Sequence, residues 1–329
     1  MNPRQGAERL LFALILIIFG AAVRGGEKKF PLEIAVSFSP VICGDRVHLF
    51  AAGGRNQTLD PAEDAPSCNL MSLKPAVQPV CVNGKVFVAD SSGALYQMAD
   101  GIPEETARME GKPVGIFELD GQAAVVEENR MLFPGSGHFP LPFHAVSAFR
   151  TGPGLLVFGE MEALLFSGGR IVLRFPFKGK TVVAACVAGD RIAVGTDDAL
   201  VLLDSATGKA KKRFITRSKV VSIIDSGEGF AFASTDHMIR LMNLKGRILW
   251  QTRIQGRPLG LWTHSNGLLT ATAGGSHLVF LEESKGTELW DYRLERGEMI
   301  TAPGFSPTKA AMLSFDSLPE PALILVDLP

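Results

Sequence analysis

A repeating unit of about 37 residues constrains this chain more than any other feature, because sequence self-similarity at such a period is the signature of stacked or circular arrays. The clearest copy runs from Lys178 to Thr216. Within it, Val182–Val187, Arg191–Gly195 and Ala199–Leu203 are short apolar runs split by Gly189-Asp190 and Asp197-Asp198, and a polar stretch ends near Phe214. Runs of four to six residues are too short for helices, and Gly, Asp and Asn between them suit hairpin turns because they tolerate positive φ. The same order returns as Val220–Ile224, Gly229–Ser234, Met238–Asn243 and Arg247–Ile254. It returns again as Leu259–Thr263, Gly267–Ala273, His277–Glu282 and Thr287–Leu294. A glycine marks the third turn each time, and comparable glycines fall at 286, 246, 208, 169, 137 and 101, with spacings of 40, 38, 39, 32 and 36. Four strands in so short a period describe a propeller blade.

Weaker copies fill the earlier chain. Ala76–Gly101, Val114–Gly137 and Ala145–Phe175 follow the scheme with poorer turns, and Phe38–Leu73 opens the series. At the far end, Ala302–Ser306, Ala310–Phe315 and Ala322–Asp327 supply only three strands, so the fourth is expected from Phe30–Ala35. Pairing the two chain ends in one blade closes the ring and removes exposed sheet edges. The expectation is an all-β propeller of eight four-stranded blades, with seven as the alternative if Val114–Gly137 or Ala145–Phe175 is not a full blade. Unbroken apolar runs such as Ala199–Leu203 fit, since neighbours cover a blade on both faces. After the first 26 residues, no apolar stripe at helical spacing extends over a dozen residues without Gly or Pro.

Arg4 and Arg9 precede an uncharged apolar run of 14 residues, Leu10–Val23, followed by Gly25 and Gly26. This is a secretory signal pattern, shorter than the roughly 20 residues a spanning helix needs. Residues 1–26 are therefore expected to be a signal peptide, cut after Ala22 or Gly25, and 27–329 a single exported propeller domain. Its membrane link would be the N-terminal segment alone, if uncut. No cysteine follows the apolar run closely enough for a lipid anchor. With 33 basic and 34 acidic residues, the charge balance points away from nucleic acid. Cys43, Cys68, Cys81 and Cys186 are too few for a disulfide framework. Three lie in apolar runs and are expected to be free and buried, with a bridge from Cys43 or Cys81 to Cys68 as the alternative.

The stretch Ala193-Val-Gly-Thr-Asp-Asp-Ala-Leu-Val-Leu-Leu-Asp-Ser-Ala-Thr-Gly-Lys209, with Gly246-Arg-Ile-Leu-Trp250 and Gly286-Thr-Glu-Leu-Trp290, resembles the quinoprotein-like (PQQ-like) β-propeller repeat family. The resemblance is strong from about 180 to 295. It implies that Trp250 and Trp290 dock between adjacent blades, where an indole buries about 200 Å². Long quinone-dependent members carry a Cys-Cys pair and a calcium site, and this chain has no Cys-Cys pair. It is similar in size to short, cofactor-free members such as the propeller subunit of the bacterial outer-membrane protein assembly machinery, so no cofactor is expected.

No catalytic constellation stands out. Six histidines show no close ligand spacing, and His237 and His277 hold equivalent places at the start of a third strand, as repeated hairpin-turn residues would. Adjacent acids such as Glu127-Glu128 point to opposite faces of a strand. Two loops are unusual. Gly53–Ser67 is long and polar, and includes an Asn56-Gln57-Thr58 sequon usable only in a eukaryotic source. Phe133–Phe143 sets Phe139 and Leu141 among three prolines without a clear strand, so these two are candidate interaction residues, with an irregular outer strand as the plainer reading. The expected function is a monomeric, non-enzymatic scaffold for protein partners in envelope or outer-membrane protein assembly. The alternative is an enzyme binding a small molecule or quinone in the central channel.

Overall fold

The computed structural model describes residues 27–32, 36–62, 73–99, 102–152, 154–178, 181–265, 267–274, 277–294, 298–299, 301–315 and 322–328. The segment expected to be a signal peptide, Cys68 and Gly101 lie outside them. Every element among the described residues is a strand, and the strands form eight antiparallel sheets. The first strand of one sheet lies against the first strand of the next, so these inner strands ring a central axis. The protein is an eight-bladed β-propeller.

Blades 2 to 7 have four strands each, hydrogen-bonded in chain order. Blade 3, for example, comprises Pro113–Leu119, Gln122–Glu127, Arg130–Phe133 and Gly137–Pro140. Blade 6 comprises Val220–Asp225, Gly229–Ser234, Met238–Asn243 and Ile248–Arg253. The second strand of blade 6 is buried along its whole length, as expected where neighbouring blades cover both faces. Blade 1 shows three strands among the described residues: Val41–Cys43, Arg46–Phe50 and Asn56–Leu59.

Blade 8 joins the two ends of the chain. Its inner position is taken by Glu298–Met299 and Gly304–Phe305, both pairing with Lys309–Phe315, which pairs with Ala322–Asp327. Outermost is Lys28–Pro31, with Lys28 opposite Leu325 and Pro31 opposite Ala322. The closing strand thus lies slightly earlier than the Phe30–Ala35 expected from pattern, and residues 33–35 are outside the description.

The cysteines correct the sequence expectation. Cys43 and Cys81 are neither free nor joined to Cys68; they form a disulfide with each other, Cα–Cα 5.5 Å. Each lies on the inner strand of its blade, 1 and 2, and their separation of 38 residues is one repeat. Cys81 is offset by one residue from the position equivalent to Cys43, which Val82 occupies, so it points to the opposite face of its blade and meets Cys43 across the seam. Cys186, on the inner strand of blade 5, is free and buried as expected. Burial and the negative charge of Asp225 push its thiol up to about 12, so it stays protonated and unreactive.

The polar loop expected around residue 56 is a strand. Asn56, Gln57 and Thr58 are buried, and the Asn56 amide donates to the Leu73 carbonyl at 3.2 Å. The sequon is therefore closed to modification in the folded protein.

Candidate interaction face

Turn geometry gives the propeller two unlike faces. One carries the first and third turns of each blade; the other carries the second turns and the connections to the next blade.

On the second-turn face, carboxylates clamp the backbone. Glu127, fully buried, accepts the amides of Glu110 and Gly111 and pairs with Arg130 at 3.0 Å. Asp90 accepts the amides of Lys74 and Ser92, at 2.5 and 2.8 Å. Burial alone would raise its pKa, but the hydrogen bonds from Ser92 and Lys74 and the Lys74 charge outweigh it and hold Asp90 below the usual carboxylate range. Asp236 is held low in the same way, by Arg240 and Ser234 against burial. These groups fix connections between strands.

On the first- and third-turn face the seams differ. At three seams the third-turn glycine is buried under a side chain from the outer strand of the preceding blade: Phe175 over Gly208, Lys212 over Gly246, and Trp250 over Gly286. The Trp250 indole also donates to the Glu283 carbonyl at 2.8 Å, and the Thr252 hydroxyl to the Gly286 carbonyl at 2.6 Å. A β-bulge between the third and outer strands of blades 4 to 7 turns the outer strand at this point. Trp290, at the equivalent place in blade 7, packs into the core it shares with blade 8 beside Leu328 and Tyr292.

Between blades 3 and 4 the seam is open. A cleft of about 360 Å³ is lined by Leu119, Phe133, Phe139, Phe166 and Gly169, with Asp120, Gln122, Ser136 and His138 as polar neighbours. The stretch expected to lack a clear strand is in fact a hairpin, Arg130–Phe133 with Gly137–Pro140. The outer strand is only four residues long, has no bulge, and ends at Pro140. Phe139 therefore leans edge-on against Phe166 at 5.0 Å and leaves Gly169 bare, with nothing within 4 Å of where a Cβ would sit. Leu141, unlike Phe139, does not line the cleft: at 9% exposure it belongs to the core between blades 3 and 4, and its amide donates to the Asn129 carbonyl. Further clefts on this face lie between blades 2 and 3, about 220 Å³ around Asn83, Gln97 and Pro134, and between blades 7 and 8, about 400 Å³ around Trp262, Phe305 and Leu328.

The titratable groups are dispersed. Among the described residues no three His, Cys, Asp or Glu side chains gather as a metal site. His48 is buried against the Thr58 hydroxyl, 3.1 Å, and burial together with the Arg46 charge lowers it to about 4. His237 lies in a turn with φ of 66°, whereas His277 begins a strand and is buried, its pKa lowered by burial and then by Arg293. The two histidines do not hold equivalent places as expected: His277 matches Met238, the first residue of the third strand of blade 6, and His237 falls one residue earlier in the turn. Glu283 is raised by burial and by the charges of Glu228 and Asp225. Its backbone carbonyl seats Trp250.

No family model matches the chain. Over 140 residues it is 29% identical to the outer membrane protein assembly factor BamB of Nitrosomonas eutropha, and that alignment covers 40% of this chain and 32% of the relative. The fold superposes on the crystal structure of BamB from Moraxella catarrhalis with a TM-score of 0.62 at 11% identity, covering 91% of this chain and 98% of that one. It superposes on the computationally designed Ika8 protein with a TM-score of 0.70 at 13% identity and the same coverage. At these identities the two structures show a shared propeller fold; the sequence match, partial as it is, is with an assembly factor.

Proposed function

We propose that the protein is an exported, non-enzymatic propeller scaffold that holds protein partners on the face carrying the open clefts, within envelope or outer-membrane protein assembly. One observation carries the reading: the seam between blades 3 and 4, where the repeat fails, presents Phe133, Phe139 and Phe166 at an open cleft. Half-buried aromatics such as Phe133 and Phe139, lining a concave apolar site with polar neighbours, are the usual anchors of a protein interface. The partial similarity to BamB supports a role in assembly. Leu141 supports Phe139 from the core side.

A photocrosslinking residue at position 139, in chain expressed in its native cell envelope, is expected to give one dominant protein adduct, while the same residue at Glu288 on blade 7 gives none. Phe139→Glu should weaken co-purification of that partner without lowering Tm by more than a few degrees. Equal adducts at both positions would rule out the cleft. Export is checked separately by sequencing the N-terminus of the envelope-resident protein, expected to begin after Ala22 or Gly25.

A further inference from the structure

The near-neutral total of 33 cations and 34 anions hides a strong local imbalance. Residues 169–178, 208–219 and 245–256 hold the outer strands of blades 4, 5 and 6 with flanking turn residues and, after blade 5, the connection to the next blade. They carry three, six and three Lys or Arg, and no Asp or Glu. The outer stretch of blade 2, residues 102–110, instead holds Glu104, Glu105 and Glu110 against Arg108. Some cations of the basic wall are neutralised from inside the blade: Arg174 by Glu162, Lys211 by Asp204, Arg213 by Asp198. Arg170, Lys209, Arg217, Lys219 and Arg253 are exposed and make no ion pair among the described residues.

The same wall exposes aliphatic side chains. Val172 and Leu249 are 47% and 45% exposed because each is the extra residue of a β-bulge and has no cross-strand partner, and Ile215 is 62% exposed at the end of the outer strand of blade 5. Lysines on an outer strand also guard against edge-to-edge aggregation. Arg217 and Lys219, however, lie past that strand in the connection to blade 6, where there is no edge to guard.

We propose that the outer wall of blades 4, 5 and 6, together with the connection that leaves blade 5 at Arg217 and Lys219, is a docking surface for an acidic polypeptide segment that also carries aliphatic side chains. Charge complementarity selects the anion, and Val172, Ile215 and Leu249 select the apolar residues between the acids. Curvature favours a polypeptide over a bilayer. In an eight-bladed ring adjacent blades turn by about 45°, so a planar membrane meets one blade while a flexible chain follows three. This surface is distinct from the cleft between blades 3 and 4 and does not depend on it.

The test is fluorescence anisotropy of the full chain with a labelled peptide of repeating Glu-Glu-Leu-Gly, beside a Gln-Gln-Leu-Gly control. The acidic peptide is expected to bind, more weakly as salt rises toward about 0.15 M, and the control not to bind. Lys209→Glu with Arg217→Glu and Lys219→Glu should weaken binding by about tenfold or more, roughly 1.4 kcal/mol. The same charge change at Lys85, Arg108 and Lys112 should leave it within a factor of two, roughly. Ile215→Asp should weaken the leucine-bearing peptide more than a Glu-Gly peptide. If the glutamate triple variant unfolds, the glutamine triple keeps the test open, with a smaller loss expected. Equal loss from both sets of charge changes would overturn the proposal. So would tighter binding to phosphatidylglycerol vesicles than to the peptide, or no peptide binding together with aggregation of the blade 5 variant.

Discussion

The seams between blades 4 and 7 and the seam between blades 3 and 4 begin from the same glycine and end differently. Gly208, Gly246 and Gly286 have φ near 70° and are covered by Phe175, Lys212 and Trp250; Gly169 has φ of 75° and is covered by nothing. The glycine φ is shared but the turn is not: Ser167 pairs directly with Arg170 across Gly168-Gly169, both at positive φ, whereas Gly208, Gly246 and Gly286 each end a longer loop. The outer strand of the preceding blade differs as well. In blades 4 to 6 the outer strand is bulged beside the turn and reaches across; in blade 3 it stops at Pro140 and the aromatic side chains line a cleft. A regular repeat builds the ring, and a local failure of the repeat opens a site on it.

The largest expected effect comes from forcing a closed seam apart. Gly208→Val would place a Cβ inside the side chain of Phe175 and a β-branched residue at φ of 67°. A loss of about 4 kcal/mol or more is expected, since overpacking and a left-handed β-branched residue add. Urea unfolding should show it, or the variant should be insoluble. Gly169→Val, at a similar φ but in empty space, should lose less than half as much. Equal losses would mean that the turn conformation, not the docked side chain, sets the cost.

The seam between blades 1 and 2 is closed by a covalent bond. A 38-residue loop corresponds to about 4 kcal/mol in the chain-entropy model, with measured values more often 2–4. The double substitution Cys43→Ala, Cys81→Ala should lower stability by about that amount. Reductant should lower the Tm of the native protein and leave the variant unchanged. Insensitivity of the native protein to reductant would show that this seam holds without its disulfide.

Blade 1 also differs from the regular blades in what it buries, and pH separates the two. Where blade 6 buries apolar residues, blade 1 buries His48 against Thr58. His48 has a folded-state value of about 4 against 6.5 when unfolded, so below pH 6.5 the unfolded chain binds the extra proton. Its contribution is complete above pH 6.5 and is lost as pH falls toward 4. Between pH 7 and 5 the wild type should lose about 2 kcal/mol more than His48→Gln, each unit of separation being worth about 1.4. Asp90 and Asp236, both held low, add their own losses only at more acid pH, as pH falls through their folded-state values.

The ring was legible because its period is long-range and redundant: the glycines at 208, 246 and 286 recur with the same flanking runs, and three terminal strands lack a fourth. The outer strand Gly137–Pro140 was not legible, since four residues containing glycine and proline show no alternation. Asn56-Gln57-Thr58 read as a loop because a polar strand buried within a blade contradicts the pattern used to find strands. The Cys43–Cys81 bridge did leave a signal, a separation of about one period, but using it requires knowing that inner strands meet at positions offset by one residue. The basic wall vanished into a net charge of −1. Local departures that carry the candidate sites were averaged away by the features that reveal the fold.

Two smaller substitutions measure how much of a closed seam is the docked side chain itself. Trp250→Phe removes the hydrogen bond to the Glu283 carbonyl and part of the area over Gly286, for an expected loss of about 1–2 kcal/mol by urea unfolding. Gly169→Ala meets no neighbour and should lose only the left-handed penalty of about 1 kcal/mol. The same change at Gly286 would drive a Cβ into the Trp250 ring and should lose several times more. That ratio measures docking with the left-handed φ of the substituted residue held alike. If it is near one, Trp250 rests on Gly286 without holding the seam, and closure has to be assigned to the strand bulge alone.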